Sequence, residues 1–180
     1  MSLLVDWQIR GLAASDRLVE PFDPKRLQPS SYDVTLSDRF TTVQGGVIDP
    51  ERGTSSASVV QRTASMFTLA PGDTVLASTE ERVTLPRNIA ARFEGKSSLG
   101  RIFLTTHTTA GFIDPGFEGR IVLELRNDSS STIVLHAGMA IGQLCFMPLA
   151  ELPEHVYGEC GNHYQGQDGP VPADFSKKEA

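Results

Sequence analysis

A short segment of this 180-residue chain concentrates side chains that could do chemistry. Residues 95–101 read G-K-S-S-L-G-R, which places an ammonium, a guanidinium, two hydroxyls and glycine-exposed backbone N–H groups close together. Such groups can form a nest for an anion such as a phosphate. A solvated Ser-rich turn with two surface cations is the alternative, because short motifs often match by chance. The residue types indicate a possible anion site and leave both interpretations open.

The triplet G-K-S at residues 95–97 also ends the P-loop signature G-x-x-x-x-G-K-[ST]. The first glycine of that signature would fall at position 90, which is Ala90. The residues that follow, 99–105, are rich in strand formers and include a glycine, so we expect no helix to open there. A P-loop is therefore excluded, whereas phosphate binding is not.

Glu124 is the second candidate, because it is the one carboxylate within an alternating strand pattern at residues 120–126. Ile121, Leu123 and Leu125 share one face of that strand, and Glu124 lies on the other. Most glutamates at such positions face water, and the pattern alone favours that outcome. The closeness of Glu124 in sequence to the anion segment makes it a candidate acid/base.

The size and composition of the chain predict a single domain over residues 1–180 with a real core. A hydrophobic content of 39% and a charged content of 21% are ordinary for a globular protein. The net charge of -6 argues against a general nucleic-acid binder but not against binding of one small anion. Cys145 and Cys160 provide neither a disulfide framework nor metal-ligand spacing. Without a recognisable signal peptide or membrane span, we expect a cytoplasmic protein with no membrane partner.

Short strands dominate the predicted secondary structure. One helix is expected at residues 6–14, capped by Asp6. Surface loops are expected at residues 54–65 and 127–132. This spacing of short strands is typical of an all-β sandwich or barrel. The predicted strands cover residues 31–36, 39–44, 66–69, 73–78, 82–85, 89–93, 102–106, 120–127, 132–136 and 141–146.

Several long motifs occur along most of the chain: P-S-S-Y-D-V-T-L (29–36), K-S-S-L-G-R (96–101), H-T-T-A-G-F-I-D-P-G-F (107–117), I-V-L-E-L (121–125), G-M-A-I-G-Q-L-C (138–145) and Y-Q-G-Q-x-G-P (164–170). With these motifs the chain resembles the dCTP deaminase family, and most closely its bifunctional, dUMP-forming branch. The resemblance implies the trimeric dUTPase fold, which is a distorted β-barrel of jelly-roll type with a short N-terminal helix. It also implies that residues 151–180 are a flexible lid over bound nucleotide. A disordered terminus is the alternative for this Gly-rich, aperiodic segment.

Deamination of cytosine needs a water to attack carbon-4 and a group to move its proton. Zinc deaminases use the signature H-x-E…P-C-x-x-C. This chain has neither half of that signature, and its histidines are scattered, so we expect no zinc. Metal-free general acid/base catalysis by one carboxylate in a dry pocket is the remaining route.

By resemblance, Glu124 is that carboxylate. The resemblance further implies that Ser97 and Arg101, from a neighbouring subunit, place the water, and that the Ala110 carbonyl contacts it. It implies that Ser97, Arg101 and Glu124 also contact the nucleotide. The other residues that it places around the nucleotide are Lys96, Ser98, Leu99, Gly100, Asp114, Val122, Leu123, Gln143, Tyr157, His163 and Gln167.

Gly111 and Phe112 match the bifunctional branch, in which a second water is expected to reach the α-phosphate. Asp114 is expected to help position that water. Magnesium is expected to be held through the triphosphate of the nucleotide rather than by protein side chains. Pyrophosphate release would then turn dCTP into dUMP in one pocket.

Two tail residues depart from the family pattern. His163 stands where a lysine is common, and Asp168 stands where a neutral or basic residue is usual. We therefore expect weaker triphosphate binding at neutral pH, or a preference for a less charged nucleotide. The resemblance also implies a homotrimer and feedback inhibition by dTTP.

Three other functions remain open: a deaminase that stops at dUTP, a pure dUTPase, and a non-catalytic nucleotide-binding regulator. The presence of Glu124 together with Ser97 and Arg101 argues against a pure dUTPase. The altered tail leaves the regulator open.

Overall fold

The computed structural model describes residues 2–159 and 161–175. Cys160 and the last five residues of the expected lid, 176–180, lie outside this range. A 3-10 turn at Pro24–Arg26 accompanies the regular elements. The helices and strands are α1 (Asp6–Ser15), β1 (Val19–Glu20), β2 (Tyr32–Gln44), β3 (Ile48–Asp49), β4 (Thr54–Ser55), β5 (Ser58–Thr63), β6 (Met66–Leu69), β7 (Thr74–Thr84), β8 (Ile89–Gly95), α2 (Ser97–Gly100), β9 (Leu104–Thr105), β10 (Phe112–Ile113), β11 (Glu118–Asn127), β12 (Ile133–His136) and β13 (Ala140–Pro148).

A nine-stranded antiparallel sheet organises the domain. Its strands run in the order β10-β8-β13-β2-β7-β11-β9, with β1 added to β7 and β5 added to β2. The strand β2 joins two parts of the sheet, because its first half pairs with β13 and its second half pairs with β5. Two small sheets, β12–β6 and β3–β4, complete the strand pairing of the described residues. The mainly β fold that the sequence predicts is confirmed.

Alternating apolar residues on these strands build one core. Tyr32, Phe40, Phe93 and Phe146 are the bulkiest of its fully buried side chains. Burial of each such side chain contributes about 1.5–3 kcal/mol. The strand β11 alternates buried and partly exposed positions along its length, as its sequence predicts. This alternation directs one face of β11 into the core and leaves the other for a site.

The predicted strand breaks fall at irregularities in longer strands. The predicted strands at residues 31–36 and 39–44 merge, apart from Ser31, into the single strand β2, whose pairing with β7 shifts register between Leu36 and Phe40. Residues 73–78 and 82–85 likewise belong mainly to β7, whose pairing with β11 shifts register between Arg120 and Val122. Polar residues at each bulge interrupt the sequence pattern without ending the strand.

Three local predictions are wrong. The N-cap of α1 is Val5, whose N–H donates to the Gln8 side chain at 3.1 Å, and Asp6 is the first helical residue. The predicted loop at residues 54–65 contains β4 and β5, which the sequence hides because every β5 side chain is exposed. The segment after Lys96 does form one helical turn, α2, and the strand predicted at 102–106 shortens to β9.

No helix within the described residues is both long and apolar enough to span a bilayer.

Candidate active site

Glu124 occupies the middle of β11 on the face opposite the core. Its neighbours Leu123 and Leu125 are fully buried, whereas Glu124 itself is half-buried. The backbone N–H of Thr108 donates to Glu124 Oε2 at 3.1 Å. One carboxylate oxygen of Glu124 is therefore held in place by the backbone.

A cleft of about 390 Å³ lies over this face of β11. The strand provides its floor, the segment before and within β10 provides one wall, and the C-terminal tail provides the other. The cleft brings together seven of the residues that the sequence singles out: Ala110, Phe112, Asp114, Val122, Glu124, Tyr157 and Gln167.

The wall next to β10 is shaped by glycines. The Phe93 N–H donates to the Gly111 carbonyl at 2.8 Å, which fixes the approach of this segment to β8. A Cβ at Gly111 would lie 3.0 Å from both His107 Cε1 and the Phe93 carbonyl oxygen. Gly116, with φ +84, allows the turn that follows Asp114. Position 111 therefore accepts a side chain only if the neighbouring segment moves.

The tail wall is held by packing and by hydrogen bonds to β11. The Tyr157 ring packs edge-on against Phe117 with centroids 5.5 Å apart. The Gln167 side-chain amide donates to the Arg120 carbonyl at 2.8 Å, and the Arg120 N–H donates to the Gln167 carbonyl at 3.0 Å. Burial raises the pKa of Tyr157, so its hydroxyl stays neutral and able to donate a proton in a hydrogen bond.

The predicted anion segment lies apart from this cleft within one protomer. Ser97 and Ser98 are exposed on α2, and Leu99 and Gly100 complete that turn. Arg101 is exposed and lines a different hollow, with residues 102–103 and 128–134. Within one protomer, Ser97 and Arg101 therefore lie outside the cleft that Glu124 lines.

Two further predicted residues, Lys96 and Gln143, lie beside Asp33 of β2. Lys96 Nζ contacts Asp33 Oδ2 at 2.5 Å. The Ser31 hydroxyl donates to Gln143 Oε1 at 2.7 Å, and Gln143 pairs with Asp33 across the β13–β2 ladder. These side chains form a polar group on one face of the sheet.

Two predicted residues contribute less than the sequence indicates. The Leu123 side chain is fully buried in the core, so only its backbone can face a nucleotide. The ring of His163 lies 5.9 Å from that of Tyr164 and is not part of the cleft lining.

Sequence reasoning missed the roles of Asp33, Thr108 and Asp168. Asp33 Oδ1 is buried and has no hydrogen-bond partner among the described residues. Asp33 lies in the motif at residues 29–36, where a carboxylate inside an apolar strand is a signal that could have been followed. Thr108 acts through its backbone, so its side chain gives no signal. Asp168 contacts two arginines, which only the folded tail brings near.

No group of three or more His, Cys, Asp or Glu side chains within residues 2–159 and 161–175 is arranged to hold a metal ion.

Fold and cleft together define a mainly β protein with a half-buried carboxylate, Glu124, in a cleft. The chain belongs to the dCTP deaminase-like family, whose pattern it matches over residues 3–149. The dUMP-forming dCTP deaminase of Thermobifida fusca is 49% identical over 179 residues, covering 95% of this chain and 91% of that protein. The corresponding protein of a Nocardioides species is 52% identical over 163 residues, covering 86% of this chain and 85% of that protein.

A solved structure supports the fold. The 2'-deoxycytidine 5'-triphosphate deaminase from Agrobacterium tumefaciens is similar with a TM-score of 0.64 and 23% identity. The likeness covers 80% of this chain and 47% of that one, so this chain spans about half the length of that structure.

Proposed function

We propose that this protein hydrolyses dCTP at carbon-4 of cytosine and then releases pyrophosphate, so that the product is dUMP. Relatives about half identical over most of the chain carry this activity in their names. The observation that carries the proposal is the position of Glu124, half-buried in a cleft and anchored by the Thr108 N–H.

In the first step Glu124 acts as general base and then as general acid. It takes one proton from the water that attacks carbon-4 and delivers it to ring nitrogen-3. It then takes the remaining proton from the new hydroxyl group on carbon-4 and delivers it to the 4-amino group, which leaves as ammonia while the C4=O bond forms. The anchored Oε2 orients the carboxylate, which leaves Oε1 for the proton. Ala110 is exposed and lines the same cleft, where its carbonyl can accept a hydrogen bond from the water.

The separation of Ser97 and Arg101 from the Glu124 cleft supports a homotrimer, in which these two residues of one subunit complete the cleft of another. Both side chains are exposed on the isolated protomer, where a charged guanidinium and a hydroxyl are free to reach a neighbour. A shared site of this kind needs a cyclic arrangement with one interface per cleft.

The second step needs a water near the α-phosphate. Phe112 and Asp114, which line the cleft next to Gly111, lie on the wall where that water would enter. Magnesium bound through the triphosphate would neutralise charge on the leaving pyrophosphate. Asp33 would help to hold such an ion, because its Oδ1 is buried and has no hydrogen-bond partner among the described residues. Lys96, beside Asp33, is placed to bind phosphate oxygens.

Product analysis tests the proposal. The protein is incubated with dCTP, dCDP and dCMP in the presence of magnesium, and ammonia and every nucleotide product are quantified. Formation of dUMP and pyrophosphate from dCTP is expected. Accumulation of dUTP alone would remove the second step, and hydrolysis of dUTP without ammonia release from dCTP would identify a pure dUTPase. A dTTP titration in the same assay tests feedback inhibition in this proposed cytoplasmic enzyme.

The variant Glu124→Gln tests the role of the carboxylate. It should abolish ammonia release and leave dCTP binding nearly unchanged, because the amide keeps the shape but cannot take a proton. The matched control is Glu118→Gln, on the same strand but exposed and paired with Arg82 at 2.9 Å. Ammonia release by Glu124→Gln at the wild-type rate would refute the assignment.

A further inference from the structure

Asp168, in the tail, bridges two arginines from different strands. Its Oδ2 lies 3.2 Å from Arg39 Nη1 on β2, and its Oδ1 lies 3.0 Å from Arg120 Nε on β11. Both strands pair with β7, from opposite sides. One carboxylate therefore ties the tail across three adjacent strands of the main sheet.

The residue before Asp168 is Gln167, which lines the cleft that holds Glu124. Gln167 is bound to Arg120 through both its backbone carbonyl and its side-chain amide. On the other side of Asp168, the Thr41 hydroxyl donates to the Pro170 carbonyl at 2.6 Å, and Pro170 is buried. The bridge lies between these two attachments and shares Arg120 with the cleft wall.

The charges around Asp168 stabilise its contacts with the two arginines. Hydrogen bonds from Arg39 and then Arg120 keep the pKa of Asp168 below its usual range, so the carboxylate is ionised throughout the neutral pH range. Arg120 is only 20% exposed in its side chain and also faces Glu80 at 3.5 Å. Removal of the Asp168 charge would leave two guanidinium groups close together with less compensation.

We propose that Asp168 is a positioning residue for the deaminase, which holds Gln167 in the wall of the substrate cleft through Arg39 and Arg120. This inference rests on the proposed function. From the sequence alone, a carboxylate at position 168 is expected to weaken triphosphate binding, and the proposed role is the opposite. The negative charge is directed to two cations of the same protomer, so it stabilises the closed tail.

Steady-state kinetics with dCTP show whether Asp168 positions the tail or repels the triphosphate. The variant Asp168→Asn should raise KM roughly fivefold and change kcat little, because two partly exposed ion pairs are lost and the tail leaves the cleft more often. Asp168→Glu, which retains the charge, should recover much of the affinity. A KM for Asp168→Asn that is unchanged or lower than that of the wild type would overturn the proposal.

Two comparisons between variants show whether the contact of Asp168 with Arg39 causes the change in KM. Arg39→Gln should raise KM as well, and the double variant with Asp168→Asn should add little, since both remove the same contact. The matched control is Glu159→Gln, which breaks another ion pair between tail and body, to Arg87 at 2.9 Å, and should leave KM unchanged. Additive effects of the first pair, or an equal effect of the control, would contradict the assignment.

Amide hydrogen exchange on the unliganded proteins gives a readout without turnover. The N–H groups of Arg120 and Gly166, which bind the Gln167 and Glu118 carbonyls, should exchange faster in Asp168→Asn than in the wild type. Unchanged exchange would overturn the proposal even if KM rose. If the wild type released no ammonia from dCTP, the proposed function would fall, and the exchange result would still decide whether Asp168 holds the tail.

Discussion

Glu81 is a carboxylate buried within the sheet, away from the cleft lining. The Thr35 N–H donates to its Oε2 at 2.8 Å, and the Thr35 hydroxyl donates to its Oε1 at 2.9 Å. Burial raises the pKa of Glu81 despite these hydrogen bonds. Because folding favours the protonated form, this group stabilises the fold most below its ordinary pKa of 4.5, and the contribution is lost as pH rises through the raised value.

We predict that Glu81→Gln makes stability less dependent on pH. The amide has the size of the neutral acid and cannot ionise, so the loss of stability as the pH rises above 4.5 should shrink relative to wild type. Thermal denaturation across this pH range measures the effect. Glu51→Gln, at an exposed position, is the control and should keep the wild-type profile. Parallel pH profiles for Glu81→Gln and wild type would contradict the prediction.

Gly111 offers a second test at the scale of single residues. A methyl group there would press on His107 and the Phe93 carbonyl, and relief would shift the segment that carries Thr108. Since the Thr108 N–H anchors Glu124, Gly111→Ala should lower kcat for ammonia release roughly tenfold, a barrier increase of about 1.4 kcal/mol. Gly11→Ala, with no atom within 4 Å of the added Cβ, is the control. An unchanged kcat would contradict the prediction, because it would show that residues 107–111 accommodate the methyl group without moving Glu124.

Single residues show how far sequence predicts a site of this kind. Alternation along β11 predicts correctly which face carries Glu124, because the strand period is local. The pattern alone favoured an exposed side chain, since it contains nothing of the tail that covers that face. The contacts of Asp168 with Arg39 and Arg120 join residues far apart in the chain, so no local pattern could reveal them.

Among the elements, α1 contains a glycine that serves no visible purpose. Gly11 is exposed in the middle of the helix. Gly11→Ala should raise the free energy of unfolding by about 1 kcal/mol, because alanine loses less backbone freedom on folding. Denaturant titration measures the change. Gly142→Ala provides the contrast and should destabilise the fold, since its Cβ would overlap the Phe93 ring. A neutral or destabilising Gly11→Ala would count against this account.

Strands are predicted correctly from the sequence where one face of the strand is buried, and they are missed where neither face is buried. The long strands β7 and β11 are predicted with one break and no break, respectively, because apolar residues alternate along them. The strand β5 has no buried side chain, so its sequence resembles a loop, and only pairing with β2 makes it a strand. The turn α2 is too short for helical periodicity to appear.

For the whole molecule, the separation of Arg101 from the Glu124 cleft predicts complementation between subunits. Arg101→Ala and Glu124→Gln should each be inactive alone. When the two are unfolded and refolded together, random trimers should recover roughly a quarter of the wild-type activity, since some interfaces combine both intact residues. Ammonia release per mole of protein measures the recovery. A mixture as inactive as its components would refute a site shared between chains.

The two walls of the cleft belong to different parts of the chain. Residues 3–149, which match the family, provide the carboxylate and the wall next to β10, whereas residues 157–173 provide the opposite wall. Glu124 and the tail wall of the cleft can therefore be altered independently. If the last residues of this chain, about thirty, are replaced by those of a relative, the preference among nucleotides should change, whereas Glu124 and its hydrogen bond to Thr108 should stay the same.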